Sequence, residues 1–329
     1  MSRLAYFARR LVITVFLIFA VASLLFFVAR LLPGDYATTI VASGASPERI
    51  EELRAQWGLT QPLYVQYYHY ITNLLTGNAG ISRATGEPVI DTVSKAFWNT
   101  AVIAIPALIT AFLIGTVYGA LMGSNPGSKL EKYGIIPPTV FGTTPDFFLG
   151  IVLLVVFWGW LGWFPSGGIA SLETYRTTDT RWQLYMTTDF LKHAALPFLT
   201  ISLKYLYYPA LIMRGSVVEV RGQEFAVYQR LLGLKDRTRF KHLMKHASLP
   251  VITVLPALTA TSLSAQVVLE IVFNWPGLGK LLLDSVLQRD TPVLQFLFLV
   301  IATWIIIGNL VVDIAYTVID PRITYEGES

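Results

Sequence analysis

Long apolar runs dominate this chain, and polar segments separate them rather than interleave with them. A hydrocarbon layer of about 30 Å is crossed by about 20 apolar residues in a helix. Six stretches meet that length: 11–32, 100–122, 138–161, 194–213, 249–273 and 293–319. The first follows Arg3, Arg9 and Arg10 and contains the small residues Ala20 and Ala22, so a cleaved signal peptide competes with a retained helix. A signal's apolar core runs about 7–15 residues. This run is longer and continues past any cleavage position, so a retained helix is expected.

Shorter helices are expected between the runs. Ser46 can cap, Pro47 suits a first turn, and Glu48, Glu51 and Glu52 favour the positive end of a helix that should reach about Trp57 and stop at Gly58. A second short helix, 63–75, carries Tyr64, Tyr67, Tyr68 and Tyr70 and precedes Gly77. Trp275-Pro276-Gly277-Leu278-Gly279 reads as a tight turn, with an amphipathic helix over 280–289 after it. That helix is too short to span, and either lies at the outer interface or dips back toward the pathway.

Composition narrows the class. Of 329 residues, 54% are hydrophobic and 14% charged, against about 25% charged in soluble domains. Eight Trp and 16 Tyr supply interfacial belts, and Trp158, Trp160 and Trp163 read as belt rather than ligand cage. The absence of Cys excludes disulfides, thiolate metal sites and cysteine nucleophiles. His242 and His246 lie one turn apart, but no third ligand accompanies them. A net charge of +4 fits retained loops better than nucleic-acid binding, for which no basic–aromatic surface is evident.

Charge also sets sidedness. Three Arg precede the first run, Lys129 and Lys132 lie between the second and third, and eight cations (Arg214, Arg221, Arg230, Lys235, Arg237, Arg239, Lys241, Lys245) lie between the fourth and fifth. That last segment holds only Glu219, Glu224 and Asp236 as counter-charges. The remaining connections are near neutral or balanced by acids. All rich segments therefore fall on one side, the cytoplasmic one, together with both termini. The resulting division is a cytoplasmic N-terminus and first span over 1–32, an external insertion over 33–99, a membrane core over 100–319 with a cytoplasmic loop at 214–248, and a tail over 320–329.

An energy source is missing from the chain. Gly123-Ser-Asn-Pro-Gly127-Ser-Lys129 falls one residue short of a phosphate-cradling loop, and Gly277-Leu-Gly279-Lys280 lies on the wrong side. Ionisable residues within the runs are Lys204, Glu270 and Asp313, with Asp146 near a run's start. An ion-coupled carrier relies on such groups, and three scattered charges do not compel that reading. The basic loop has helical character of its own. Residues 224–232 end at Gly233, which can take the left-handed conformation. A second helix is expected over 236–247 before Pro250. Such a rigid elbow could fit a cleft on a cytosolic protein; an ordinary basic loop held inside by charge is an equal reading of these residues.

A family likeness enters at this loop. Glu224-Phe-Ala-Val-Tyr-Gln-Arg-Leu-Leu-Gly233-Leu, with Lys245-His-Ala-Ser-Leu249-Pro250 downstream, resembles the "EAA" loop of ABC importer permease subunits of the oligopeptide/dipeptide branch. The likeness continues through Arg30-Leu31-Leu32-Pro33-Gly34-Asp35, Gly58-Leu59-Thr60-Gln61-Pro62-Leu63, Thr144-Pro145-Asp146-Phe147-Phe148-Leu149-Gly150 and Leu161-Gly162-Trp163-Phe164-Pro165. Met213-Arg214-Gly215-Ser216, Phe273-Asn-Trp275-Pro276-Gly277-Leu278-Gly279 and Asp320-Pro321-Arg322-Ile323 complete it. Three departures stand out. Val227-Tyr228-Gln229 replace small residues, the distance from Gly233 to Pro250 is about one residue short, and Tyr36 follows Pro-Gly-Asp where the family has Pro.

The resemblance implies an all-α polytopic membrane protein of six spans, the type I ABC importer permease fold, with an external helical insertion after the first span. It implies a non-catalytic subunit that binds no cofactor, since ATP is held by partner subunits. Those partners would be a homologous second permease, two cytosolic ATPases and an extracytoplasmic solute-binding protein, around a subunit set in the inner membrane. Oligopeptides or dipeptides are the implied cargo; oligosaccharides such as β-glucosides, or nickel, are the alternatives, with an ion-coupled carrier ranked lower. ATPase coupling would fall to Glu224, Phe225, Ala226, Tyr228, Arg230, Gly233, Leu234 and Lys235. Lys204, Gln266 and Glu270 are candidate pathway residues, although a packing ion pair or snorkelling stem is the plainer reading of Lys204. Asp146 and Asp313 are candidate structural polar residues.

Overall fold

The computed structural model describes residues 3–31, 46–56 and 58–319, which form helices joined by loops. In chain order these begin with α1 (Arg3–Leu31), α2 (Pro47–Gln56), α3 (Leu63–Leu75) and the long α4 (Val89–Ser124). Next come α5 (Lys129–Gly134), α6 (Ile136–Thr143) and α7 (Asp146–Leu153), the last continuing as a π-helical stretch over Leu154–Trp160. Two short helices, α8 (Leu172–Thr177) and α9 (Arg181–Tyr185), lead into α10 (Thr188–Arg221). Then follow α11 (Glu224–Leu231), α12 (Asp236–Ala247), α13 (Leu249–Thr253) and α14 (Leu255–Val272). The described chain closes with α15 (Leu278–Leu287) and α16 (Thr291–Ile319). The expected end of α2 at Trp57, the motif residues from Leu32 to Tyr36 and the tail 320–329 lie outside the described residues.

Among the described residues, four helical segments are long and apolar enough to cross a membrane: Phe7–Leu31, Val89–Ser124, Thr188–Arg221 and Thr291–Val311. The expected unbroken run over 138–161 is instead two pieces, Lys129–Thr143 and Asp146–Trp160, bent by 102°. Pro145 explains the break. It pushes Thr144 out of the helical region, to φ −69° and ψ 136°, and offers no N–H to continue the ladder. The expected run over 249–273 is interrupted at Val254 without leaving the helical region, at φ −86° and ψ −12°, so that α13 ends at Thr253 and α14 begins at Leu255.

The chain divides into two compact units, one running to Trp98 and resuming at Gly277, the other covering Asn99 to Pro276. In the first, α1 packs along α16 and against α3. Phe26 is fully buried between the rings of Tyr67 and Tyr70, and Arg30 Nε donates to Gln66 Oε1 at 2.9 Å. Asp290, also buried, accepts from Ser82 Oγ at 2.5 Å and from the backbone N–H groups of Arg83 and Ala84 at 3.2 Å. One carboxylate thus satisfies the turn that leads into α4.

The second unit is organised around α10, against which α6, α7, α12, α13 and α14 pack. Its larger core joins Ile103 and Ala107 of α4 to Leu196, Ile201 and Tyr205 of α10 and to Leu269, Phe273 and Trp275. The tight turn after α14 is tied down by Asn99. Trp275 Nε1 donates to its carbonyl at 2.9 Å, its Nδ2 donates to Pro276 O at 2.7 Å, and Tyr185 OH donates to its Oδ1 at 2.6 Å. Gly115, Gly119 and Gly123 recur every four residues along α4 and face α10. A Cβ at Gly115 would lie 2.7 Å from Leu206 O, one at Gly123 2.7 Å from Arg214 O, and one at Gly119 would run into the carbonyl of Ala210. Only glycine permits this backbone-to-backbone approach.

Candidate coupling elbow and polar interior

The elbow starts where α10 ends. Gly222 closes α10, and Gln223, extended at φ −74° and ψ 152°, turns the chain into the eight-residue α11. Gly233 then takes φ +66°. Its N–H donates to Arg230 O at 3.1 Å while Leu234 N donates to Gln229 O at 3.2 Å. This pair of bonds is the Schellman arrangement that satisfies terminal carbonyls and fixes the exit direction. The short helices expected at 224–232 and 236–247 are therefore present, with a rigid corner between them.

One face of the elbow is anchored. Phe225 and Ala226 pack with Phe240 and Met244 onto a buried cluster of Met213, Val217, Leu243, Ala247 and Val251. The Phe225 ring lies 4.6 Å from that of His246. The opposite face is open: Val227, Tyr228, Leu231 and Leu232 are all exposed, Leu231 to 79%. Glu224, Arg230, Gly233 and Lys235 are exposed as well, whereas Leu234 is half-buried. The candidate coupling residues thus split into an anchoring pair and a solvent-facing group. Helix periodicity alone does not say which apolar face a short helix buries, so the exposure of Leu231 and Leu232 is visible only in the packing.

A second clamp lies nearby. Arg214, near the C-terminal end of α10, donates from Nε at 3.1 Å and from Nη2 at 2.5 Å to Glu131 Oε1. Glu131 Oε2 accepts from Gly127 N at 2.6 Å, and Ser128 caps α5 through Glu131 N. The loop after α4 is in this way fastened to the helix that leads into the elbow. Nothing in the spacing of Glu131 and Arg214, 83 residues apart, announces the pair.

Deeper in the same unit, Lys204 closes the break between α6 and α7. Its Nζ donates to Gly142 O at 2.8 Å and Thr144 O at 2.7 Å and lies 3.2 Å from Asp146 Oδ1. An ammonium has three donors, and all three are engaged. Carbonyls orphaned where a helix stops must find partners away from water. Lys204 supplies them, and Asp146 sits in the first turn of α7, where negative charge is favourable. No donor remains for a solute unless one of these bonds breaks.

Ser262, Gln266 and Glu270 recur every four residues on α14, and all three are buried. Thr100 Oγ1 donates to Glu270 Oε1 at 2.5 Å. Thr100, Gln266 and Glu270 line a cavity of about 10 Å³, and Asp146, Lys204, Ser262 and Gln266 line another of the same size. Each is roughly the space of one water. The structure therefore brings Lys204, Asp146, Gln266 and Glu270 into one polar interior. Asp313 belongs to the other unit, where Arg10 Nη1 lies 2.8 Å from its Oδ2.

Relatives define what this arrangement belongs to. Residues 98–325 match the family described as binding-protein-dependent transport system inner membrane component, and residues 3–105 match the N-terminal family of the same membrane components. The oligopeptide transport system permease protein AppB of Bacillus subtilis is 32% identical over 324 residues, covering 98% of this chain and 99% of that protein. The glutathione transport system permease protein GsiC of Escherichia coli K12 is 33% identical over 324 residues, covering 98% and 100%. A probable peptide ABC transporter permease, y4tP of Sinorhizobium fredii, is 31% identical, covering 97% and 99%. With a polytopic helical fold and a family match over more than two thirds of its length, this chain belongs to the binding-protein-dependent transport system inner membrane components and is a permease subunit of an ABC importer.

Proposed function

We propose that this chain forms half of a peptide-import pathway, with a homologous permease as the other half and two cytosolic ATPases docked on the elbows. The observation that carries this reading is the elbow itself. A Schellman-ended helix, anchored through Phe225 and Ala226 to the foot of α10, presents Val227, Tyr228, Leu231 and Leu232 to solvent. An exposed apolar face on an otherwise basic segment marks an interaction surface. A rigid corner fixed to α10 and α12 can pass a partner's displacement to the spans without being absorbed by loop flexibility.

On this reading six spans are completed by counting α6 with α7 as one broken span and α13 with α14 as another. Both termini and the elbow face the cytoplasm, in accord with the distribution of Lys and Arg. An extracytoplasmic binding protein delivers solute to the outer face. The ATPases bind ATP more tightly in one arrangement of the elbows than in the other, and this difference drives the change of access. The chain itself supplies no hydrolytic chemistry.

Peptides are the preferred cargo because the relatives named above are oligopeptide, peptide and glutathione permeases. Neither sugars nor nickel is favoured by them. The test is reconstitution of the complete complex in vesicles with its binding protein and labelled peptides. ATP-dependent accumulation of peptide, abolished by Leu231→Asp, is the expected result. Accumulation by this chain alone, without ATPases, would overturn it.

A further inference from the structure

We propose that the cavity between α11 and α12 is a binding site for a phosphate-bearing anion. It measures about 220 Å³, far more than the water-sized spaces of the interior. Arg221 at the end of α10, Arg230 of α11 and Arg239 of α12 line it, against a single carboxylate, Asp236. Asp236 does little to neutralise them: its side chain is 93% exposed and, among the described residues, pairs with Arg239 alone, at 2.9 Å. Among the described residues Arg221 and Arg230 pair with no carboxylate. Two of the three arginines that line this space thus have, among the described residues, no carboxylate to offset their charge, and guanidinium forks match phosphate oxygens two at a time.

The backbone adds to this field. Asp236 and Arg239 belong to the first turn of α12, so the positive end of a 12-residue helix forms one wall. Its N-cap residue, Lys235, makes no side-chain cap bond. Ser124, at the end of α4, and Gln229 add neutral polar groups to the lining. The ends of α4 and α10 would lie at the cytoplasmic headgroup level under the sidedness proposed above. Basic pockets there bind anionic lipid headgroups. A phosphodiester headgroup and a free phosphate offer the same oxygens, so the site is assigned to that chemistry. A bound anion would lock α11 to α12 and stiffen the elbow.

The test uses the full-length chain and does not depend on transport. In one arm, native mass spectrometry measures retention of phosphatidylglycerol against phosphatidylcholine. In the other, inorganic phosphate is titrated against the chain in phosphatidylcholine nanodiscs. Each arginine near a membrane surface is worth about fivefold in anion affinity. The double variant Arg221→Gln/Arg239→Gln should therefore lose about 25-fold, while Lys245→Gln, a single charge loss on the last turn of α12, should change nothing. Loss in the first arm assigns a lipid, and loss in the second assigns free phosphate. If the double variant does not fold, Arg230→Gln at an exposed side chain should lose about fivefold. Binding in neither arm, binding that survives these variants, or an equal loss in Lys245→Gln would overturn the proposal.

Discussion

Lys204 and Asp146 meet 3.2 Å apart at the break in a bent helix pair, and the same ammonium holds the carbonyls of Gly142 and Thr144. Both side chains are mostly buried, at 15% and 20% exposure. The pair is thus the cap of a broken helix as well as an ion pair, and its loss leaves three acceptors without a partner at once.

Replacing Lys204 by Met should destabilise the chain by about 3–5 kcal/mol, the range for breaking one side of a buried pair. Adding Asp146→Asn should recover part of that loss but not all, because the two backbone carbonyls stay uncapped. Thermal unfolding in detergent, followed by size-exclusion chromatography, checks both. A Lys204→Met protein as stable as the parent would show that water replaces the ammonium at the break.

Gly119→Leu should separate α4 from α10, since even the first side-chain carbon would run into the Ala210 carbonyl. Overpacking of this kind costs about 1–3 kcal/mol. Gly215→Ala on α10 makes the informative contrast. A Cβ there meets nothing within 4 Å, and removing a helical glycine stabilises by roughly 0.5–1 kcal/mol. The two variants should shift the melting temperature in opposite directions.

Gly233→Val should strain the corner after α11, because a β-branched residue is forced to φ +66°. The left-handed region costs an ordinary residue roughly 1–2 kcal/mol. Gly233→Asn, which tolerates that region better, should retain more function. With the complex reconstituted, the measured quantity is ATP hydrolysis stimulated by the binding protein. Stimulation should fall in Val and recover partly in Asn; equal stimulation in both would remove Gly233 from the coupling geometry.

Leu231→Asp should leave the permease folded, since the side chain is 79% exposed and packs on nothing that the fold requires. Co-purification with the ATPase subunits should drop at least about tenfold, the equivalent of 1.4 kcal/mol. Phe225→Ala is the opposite case: the half-buried side chain packs onto a buried cluster, so stability should fall by about 0.5–3 kcal/mol. A pull-down alongside a melting curve separates docking from folding.

The amino-acid sequence by itself determined the membrane character, the approximate positions of the apolar runs, the helix–glycine–helix form of the elbow and the family likeness. These features are local or periodic. Apolar length, the cationic loop, Gly233 and Pro250 act within a few residues of where they stand. Tertiary structure alone decided the rest. The run over 138–161 reads as continuous because apolarity says nothing of direction; the pair it forms is bent by 102°, and Lys204, about 60 residues away, caps the carbonyls opened at Pro145. Glu131 finds Arg214, Thr100 finds Glu270, and Leu231 is left exposed while Phe225 packs half-buried on the cluster, because packing selects partners by position in space and not by separation along the chain.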